Sequence, residues 1–231
     1  MVAPATPKAG NSREIQGETM TTLQVVSPDQ WAAARNELRV QEAAEATARA
    51  ALNAARRGLP AVKVEKDYVF EGPAGTISLL ELFGGRRQLI TYHFMFDPDW
   101  EQGCPYCSHI IDNVGHLAHL HALNTTFAIV SQAPISKIEP FRTRMGWSIP
   151  WYSLAGNDFN YDFHSKADTS ERGGLNVFLR HGESVLHTYS AYDNEIDLHM
   201  LDSSYVDLVS LGLSGYQEPK SWPRHHDKYG R

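Results

Sequence analysis

"RQLITYHFMFDPDWEQGCPYCSHIID", residues 87–112, is the stretch on which the fold turns. Its first ten residues are almost continuously apolar and aromatic, the mark of a strand buried on both faces of a parallel or mixed sheet. The run leads straight into a loop carrying the only two cysteines of the chain, Cys104 and Cys107, with Pro105 and Tyr106 between them. A helix is expected directly after, over "SHIIDNVGHLAHLHAL" (108–123). A cysteine at the end of a buried strand and the start of a helix lies where unpaired backbone N–H groups and the positive end of the helix dipole converge, which stabilises a thiolate. Thiols in such motifs fall to pKa values of roughly 3.5–7.5, from about 8.5 in free cysteine. Cys104, at the outer lip, is therefore the expected nucleophile, and Cys107, one turn deeper, the resolving thiol. Pro105 fixes φ and lacks an N–H, which the first helical turn tolerates.

Two other readings stay open. The cysteines could be an inert buried pair, or half of a metal site completed by His116 and His119. Helical spacing argues against the metal, because those histidines fall about two and three turns beyond the cysteines. His109, Asp112, His116 and His119 share one helical side, and Ile110, Ile111, Val114 and Leu117 supply the apolar one. A solvated polar face fits better, and no metal ligand is assigned. His109, two residues after Cys107, is a candidate to tune the thiols. With Pro105, Tyr106 and Trp100 it makes up the supporting set.

Working outward, "TTFAIVSQA" (125–133) reads as a second buried strand, "PISKIEPFRTRMG" (134–146) as a helix begun by a proline, and "IPWYSL" (149–154) as a short strand. "LNVFLRHGESVLHTYSA" (175–191) reads as a hairpin turning at His181–Gly182. "VKVEKDYVFEG" (62–72) alternates as one half-buried strand should, and "GPAG" (72–75) is turn chemistry. Upstream, Ser27 can cap, Pro28 suits the first helical position and Gln30 completes a capping box. A long helix should follow to about Arg57, ended by Gly58 and Pro60. Its alanine-rich stripe (Ala33, Val40, Ala44, Ala48, Ala51, Ala55) could pack on its own domain or pair two copies into a homodimer. The expected architecture is α/β, a central mixed sheet flanked by helices with a long N-terminal helix. Residues 1–20 are read as a disordered leader, with Met20 an alternative start; 21–60 form the helix, 61–216 the main domain and 217–231 a C-terminal tail.

Composition narrows the function. The chain has 231 residues, 42% of them hydrophobic, enough for a sizeable core. Its formal charge is −6, with 27 acidic and 21 basic residues intermixed, so charge draws it neither to nucleic acid nor to anionic lipid. Two cysteines are too few for a disulfide-stapled secreted scaffold. The N-terminus lacks the apolar core of a secretory signal, and no run approaches the roughly 20 apolar residues of a membrane helix. A soluble, cytoplasmic protein is expected. "NDFNYDF" (157–163) imitates a calcium loop, but Phe163 stands where glycine is required and Thr169 where glutamate is required. It is read as a polar loop with aromatic anchors at the site's rim.

Several stretches in order, "VKVEKDYVFEGP", "ITYHFMFDPDWEQGCPYCS", "FRTRMGWSIPWYS", "GNDFNYDF", "VFLRHG", "HTYS" and "WPRHHDKY", resemble the bacterial domain of unknown function 899. Its members are thioredoxin-like proteins described as predicted dithiol-disulfide oxidoreductases. The resemblance spans nearly everything after Met20 and implies a thioredoxin-like fold and a redox role for Cys104 and Cys107. Cys104-Pro105-Tyr106-Cys107 is also similar to the glutaredoxin active site. The chain departs from thioredoxins at "RGGLNVFLR", where Gly173–Gly174 stand in place of a cis-proline, and from peroxiredoxins at Glu101, where those carry Thr. The expected activity is thiol-disulfide exchange with protein or small-molecule thiols and disulfides of thioredoxin or glutathione type, with no cofactor beyond external thiol. A non-catalytic thioredoxin-like scaffold and a thiol peroxidase are the alternatives.

Overall fold

The computed structural model describes residues 24–154, 156–163, 173–192, 194–197 and 223–228. The expected leader, and Thr169 of the calcium-like stretch, lie outside them. The chain divides into two compact units, residues 1–55 and 56–231. Among the described residues of the first, helix α1 (Pro28–Arg57) is the one regular element, and it runs two residues past the boundary. It begins as its sequence dictates: Gln30 N–H donates to Ser27 Oγ at 3.3 Å, and Ser27 N–H to Gln30 Oε1 at 3.1 Å. Helix-forming residues, the cap and ion pairs such as Arg49–Glu45 support it locally.

The second unit is built on β1 (Val62–Lys63), β2 (Val69–Gly72), β3 (Gly75–Ser78), α2 (Leu79–Leu82), β4 (Gln88–His93), α3 (Pro105–Asp112), α4 (Ala118–Ala122), β5 (Thr125–Ser131), α5 (Ile135–Arg144), β6 (Trp151–Ser153), α6 (Phe159–Phe163), β7 (Gly174–His181), β8 (Ser184–Tyr192) and α7 (Asn194–Asp197). A 3₁₀ turn, His226–Lys228, follows near the C-terminus. The described strands form one sheet in the order β1-β8-β7-β4-β5-β6-β2-β3. β4, β5 and β6 run parallel, joined through helices, and β7 lies antiparallel beside β4 and turns into β8. This mixed α/β sheet with its dithiol helix after a central strand is the thioredoxin-like architecture.

The hairpin closes where expected, with His181 opposite Ser184 and Gly182 at φ +61°, a conformation that a glycine adopts without a Cβ clash. The single strand expected over 62–72 is instead two. β1 pairs with β8 at one edge, and β2 lies six strand positions away, between β6 and β3. The charged run Glu65-Lys66-Asp67 interrupts the ladder, and only Tyr68, Phe70 and Gly72 keep the buried alternation. This split has a geometric consequence. From Lys63 to Val69 the chain spans at most roughly 21 Å, whereas six strand spacings in a flat sheet cover roughly 29 Å. The sheet must therefore curl until its edges approach each other.

The inside of the curl holds one core cluster, including Tyr68, Phe70, Leu89, Val130, Phe159 and Phe178. α6 fills it: Phe163 lies 5.7 Å from Tyr68 of the segment entering β2, 5.1 Å from Phe178 of β7 and 5.1 Å from His187 of β8. Lys66 fastens α6 from outside through Asp158 at 2.6 Å and Asp162 at 2.9 Å. "NDFNYDF" is thus a core plug at the sheet's inner face, not a rim of the cysteine site. The other face carries Tyr92, Phe94, Cys107, Ile111, Phe141 and Trp151, and it is here that α3 packs.

Candidate active site

Cys104 is the N-cap of α3, with φ −57° and ψ 129°, and Pro105 occupies the first helical position. The helix forms because Cys107, Ile110 and Ile111 recur at spacings that put them on one apolar face. Its first turn is tied by the Cys104 carbonyl, which accepts from Ser108 N–H at 3.0 Å and Ser108 Oγ at 2.9 Å. Cys104 is half-buried, Cys107 fully buried, and neither is in a disulfide. Pro105 is exposed, Tyr106 half-buried against the core and Trp100 41% exposed in the preceding loop. His109 is half-buried in the second turn of α3.

The sulfur of Cys107 accepts from the Met95 N–H at 3.4 Å. Burial pushes the Cys107 thiol well above 9.0, and the neighbouring Cys104 adds to the rise; the Tyr92 hydroxyl and the Met95 N–H pull the other way. Tyr92, on β4, is itself completely buried, and that burial, with Cys107 beside it, holds its hydroxyl protonated. The backbone entering β7 closes the other side. A Cβ on Gly173 would lie 3.0 Å from the Tyr92 hydroxyl and 3.5 Å from the Cys107 sulfur. Where thioredoxins carry a proline, a bare glycine lies beside the buried thiol, and a Cβ there would crowd the Tyr92 hydroxyl while only touching the Cys107 sulfur.

The loop 97–103 is held by side chains of α5 and the C-terminal segment. Lys137 Nζ on α5 donates to the carbonyls of Pro98 at 2.6 Å and Trp100 at 3.0 Å. Arg144 donates to Gln102 Oε1 at 2.9 Å, and His225 Nε2 to the Gly103 carbonyl at 2.8 Å. Below, Trp151 Nε1 donates to Ser131 Oγ at 2.9 Å and Ser131 Oγ to the Phe94 carbonyl at 2.8 Å, fixing the strand end from which the loop departs.

The helix expected over 108–123 is broken. α3 ends with Asn113 as its cap, and α4 starts only at Ala118, with Gly115 in the connection. The shared polar face of His109, Asp112, His116 and His119 does not form. Asp112 instead accepts from Trp147 Nε1 at 2.8 Å and pairs with His226 Nδ1 at 2.8 Å. The break also removes the helical-spacing argument against a metal, but among the described residues no group of three or more His, Cys, Asp or Glu is gathered for one. No described helix is long and apolar enough to cross a membrane. Tyr92, Lys137, Arg144 and His225 were not singled out from sequence. The signal for the last was the "WPRHHDKY" stretch, dense in aromatic and cationic residues inside an otherwise unremarked tail.

Among solved structures the chain is similar to peroxidoxin BcpB from Mycobacterium tuberculosis, at 14% identity and TM-score 0.45, with 69% of this chain and 98% of that one covered. It is similar to a mutant of Xanthomonas campestris peroxiredoxin Q at 12% identity and TM-score 0.42, covering 61% and 88%. A putative protein disulfide isomerase from Bacteroides thetaiotaomicron matches at 15% identity and TM-score 0.41, covering 68% and 94%. No curated protein matches the sequence. Residues 20–229 match the family described as "Bacterial protein of unknown function (DUF899)", and the chain belongs to that family.

Proposed function

We propose that this protein is a thiol-disulfide oxidoreductase in which Cys104 attacks and Cys107 resolves. The observation that carries the reading is the unequal placement of two cysteines one turn apart and not joined in a disulfide, Cys104 partly open at the helix start and Cys107 sealed beneath it. In the first step the Cys104 thiolate attacks a substrate disulfide R–S–S–R′, forming Cys104–S–S–R and releasing R′–S⁻. In the second the Cys107 sulfur attacks Cys104 Sγ, forming the Cys104–Cys107 disulfide and releasing R–S⁻, while the proton of Cys107 ends on a released thiolate. The substrate gains two electrons and the dithiol loses them; an external thiol resets the pair. The Met95 N–H and Tyr92 hydroxyl favour the thiolate that Cys107 must become before it attacks, and the charge passes from there to the departing R–S⁻. The exposed indole of Trp100, in the loop before Cys104, is an apolar surface available to the group R. Glu101, in place of the peroxiredoxin threonine, sets this reading ahead of peroxide reduction.

The test is mass-resolved alkylation of the reduced protein at neutral pH. Cys104 reacts first and Cys107 only after unfolding; faster labelling of Cys107 would remove the mechanism. Linkage adds a second readout. Because burial raises the folded-state value of Cys107 above its unfolded value of about 8.5, its stabilising contribution is complete below that pH and is lost as pH rises past it. The melting temperature of the reduced protein should fall above about pH 8.5, and Cys107→Ala should make that fall shallower.

A further inference from the structure

The peptide bond joining Gly103 to Cys104 is gripped at both ends. Its N–H donates to the Met95 carbonyl at 3.0 Å, and its carbonyl accepts from His225 Nε2 at 2.8 Å. A carbonyl can only accept, so His225 carries a proton on Nε2. His225 is 7% exposed, with its ring edge-on to Phe141 at 5.5 Å. Gly103 is pressed so closely that a Cβ would come within 2.5 Å of the Phe94 ring.

The segment carrying His225 is anchored at both ends of the dithiol unit. His226 pairs with Asp112 at the C-terminus of α3, where Trp147 Nε1 also donates. Asp227 pairs with Arg144 at 3.3 Å, and the same guanidinium holds Gln102 at the loop's end. Residues 225–227 thus brace the stretch 102–112 from its first residue to its last.

From this geometry we infer that His225 is a positioning residue for Cys104, acting through the Gly103 carbonyl. The direction of the Cys104 side chain follows from φ and ψ at its own Cα. The Ser108 bonds to the Cys104 carbonyl fix ψ, and the plane of the preceding peptide fixes φ. Met95 holds one edge of that plane and His225 the other; without His225 the plane can rock about the Met95 bond. The sulfur is then displaced relative to the start of α3, whose dipole favours a thiolate there.

The inference rests on the thiol-exchange reading and is tested apart from it on the full-length chain. His225→Phe keeps a ring against Phe141 and removes the donor; His225→Gln restores an N–H at a similar reach. At a temperature where circular dichroism shows each protein folded, alkylation of Cys104 at neutral pH should slow about tenfold in the Phe variant, with its pH midpoint moved upward. The Gln variant should recover most of that loss. A Phe variant that reacts like wild type, or a Gln variant no faster than the Phe variant, would overturn the inference. If the Phe variant does not fold, nitrogen NMR of wild-type His225 decides. The Nε2–H tautomer supports the brace, and the Nδ1–H tautomer excludes it. A wild-type protein that alkylates normally but forms no intramolecular disulfide would defeat the exchange reading while leaving this comparison intact.

Discussion

Cys104→Ser should reduce disulfide-exchange activity to the uncatalysed background, whereas Cys107→Ser should leave one half-reaction. A serine hydroxyl is not ionised at neutral pH, and Cys107 cannot take over because its sulfur is completely buried and its thiol form favoured. In Cys107→Ser the outer thiol still attacks, so a stable mixed disulfide builds up at one equivalent per chain and turnover stops. Reduction of a dithiol-detecting disulfide reagent, followed by intact-mass measurement, separates the two outcomes. A mixed disulfide that builds up equally in both variants, or in neither, would mean that the cysteines do not divide the work as their burial requires. Neither substitution should unfold the protein, since each nearly preserves side-chain volume.

The second large effect concerns the aromatic floor of the site. Phe94 is completely buried and lies 4.7 Å from Trp151, 6.0 Å from Trp147, 6.1 Å from Phe141 and 6.3 Å from Tyr92, ring centre to ring centre. It also supports Gly103 from below. Phe94→Ala removes a ring that its rigid neighbours cannot replace, and should cost about 3–5 kcal/mol of unfolding free energy. That is a large share of the roughly 5–15 kcal/mol expected for a whole domain, so denaturant melts should show a clear fall in midpoint. Trp100→Ala, at an exposed position in the same loop, should stay within about 0.5 kcal/mol of wild type. If the two variants melted alike, the packing account of the site would be wrong.

Which parts of this arrangement are legible in sequence follows from how local their causes are. β4 and β5 declare themselves because a strand buried on both faces has no polar alternation, and the cysteine pair falls where strand gives way to helix. The capping box of α1, the Gly182 turn and the proline-led α5 are equally local. The division of 62–72 between distant strands is not. Its alternation is nearly continuous, and only the curl of the whole sheet decides that Val62 and Phe70 lie in ladders at different ends. β3 escapes notice because "GTIS" is short and half-exposed, a strand made by its partner β2. The break at 113–117 is hidden by helix-forming neighbours. The place of Asp112 depends on Trp147 and His226, 35 and 114 residues away in sequence. The site follows the same rule: its two sulfurs are local, while Tyr92, Gly173 and His225 reach them only through tertiary packing.

The central claim is that Cys104 and Cys107 exchange electrons as a pair, and equilibration in glutathione redox buffers, read by mass-resolved alkylation, tests it most directly. The Pro105–Tyr106 insert, like that of glutaredoxins, predicts a reversible intramolecular disulfide at about −200 to −230 mV, not the roughly −270 mV of thioredoxin. Absence of that disulfide at every buffer ratio, or stoichiometric zinc holding both sulfurs, would contradict the account.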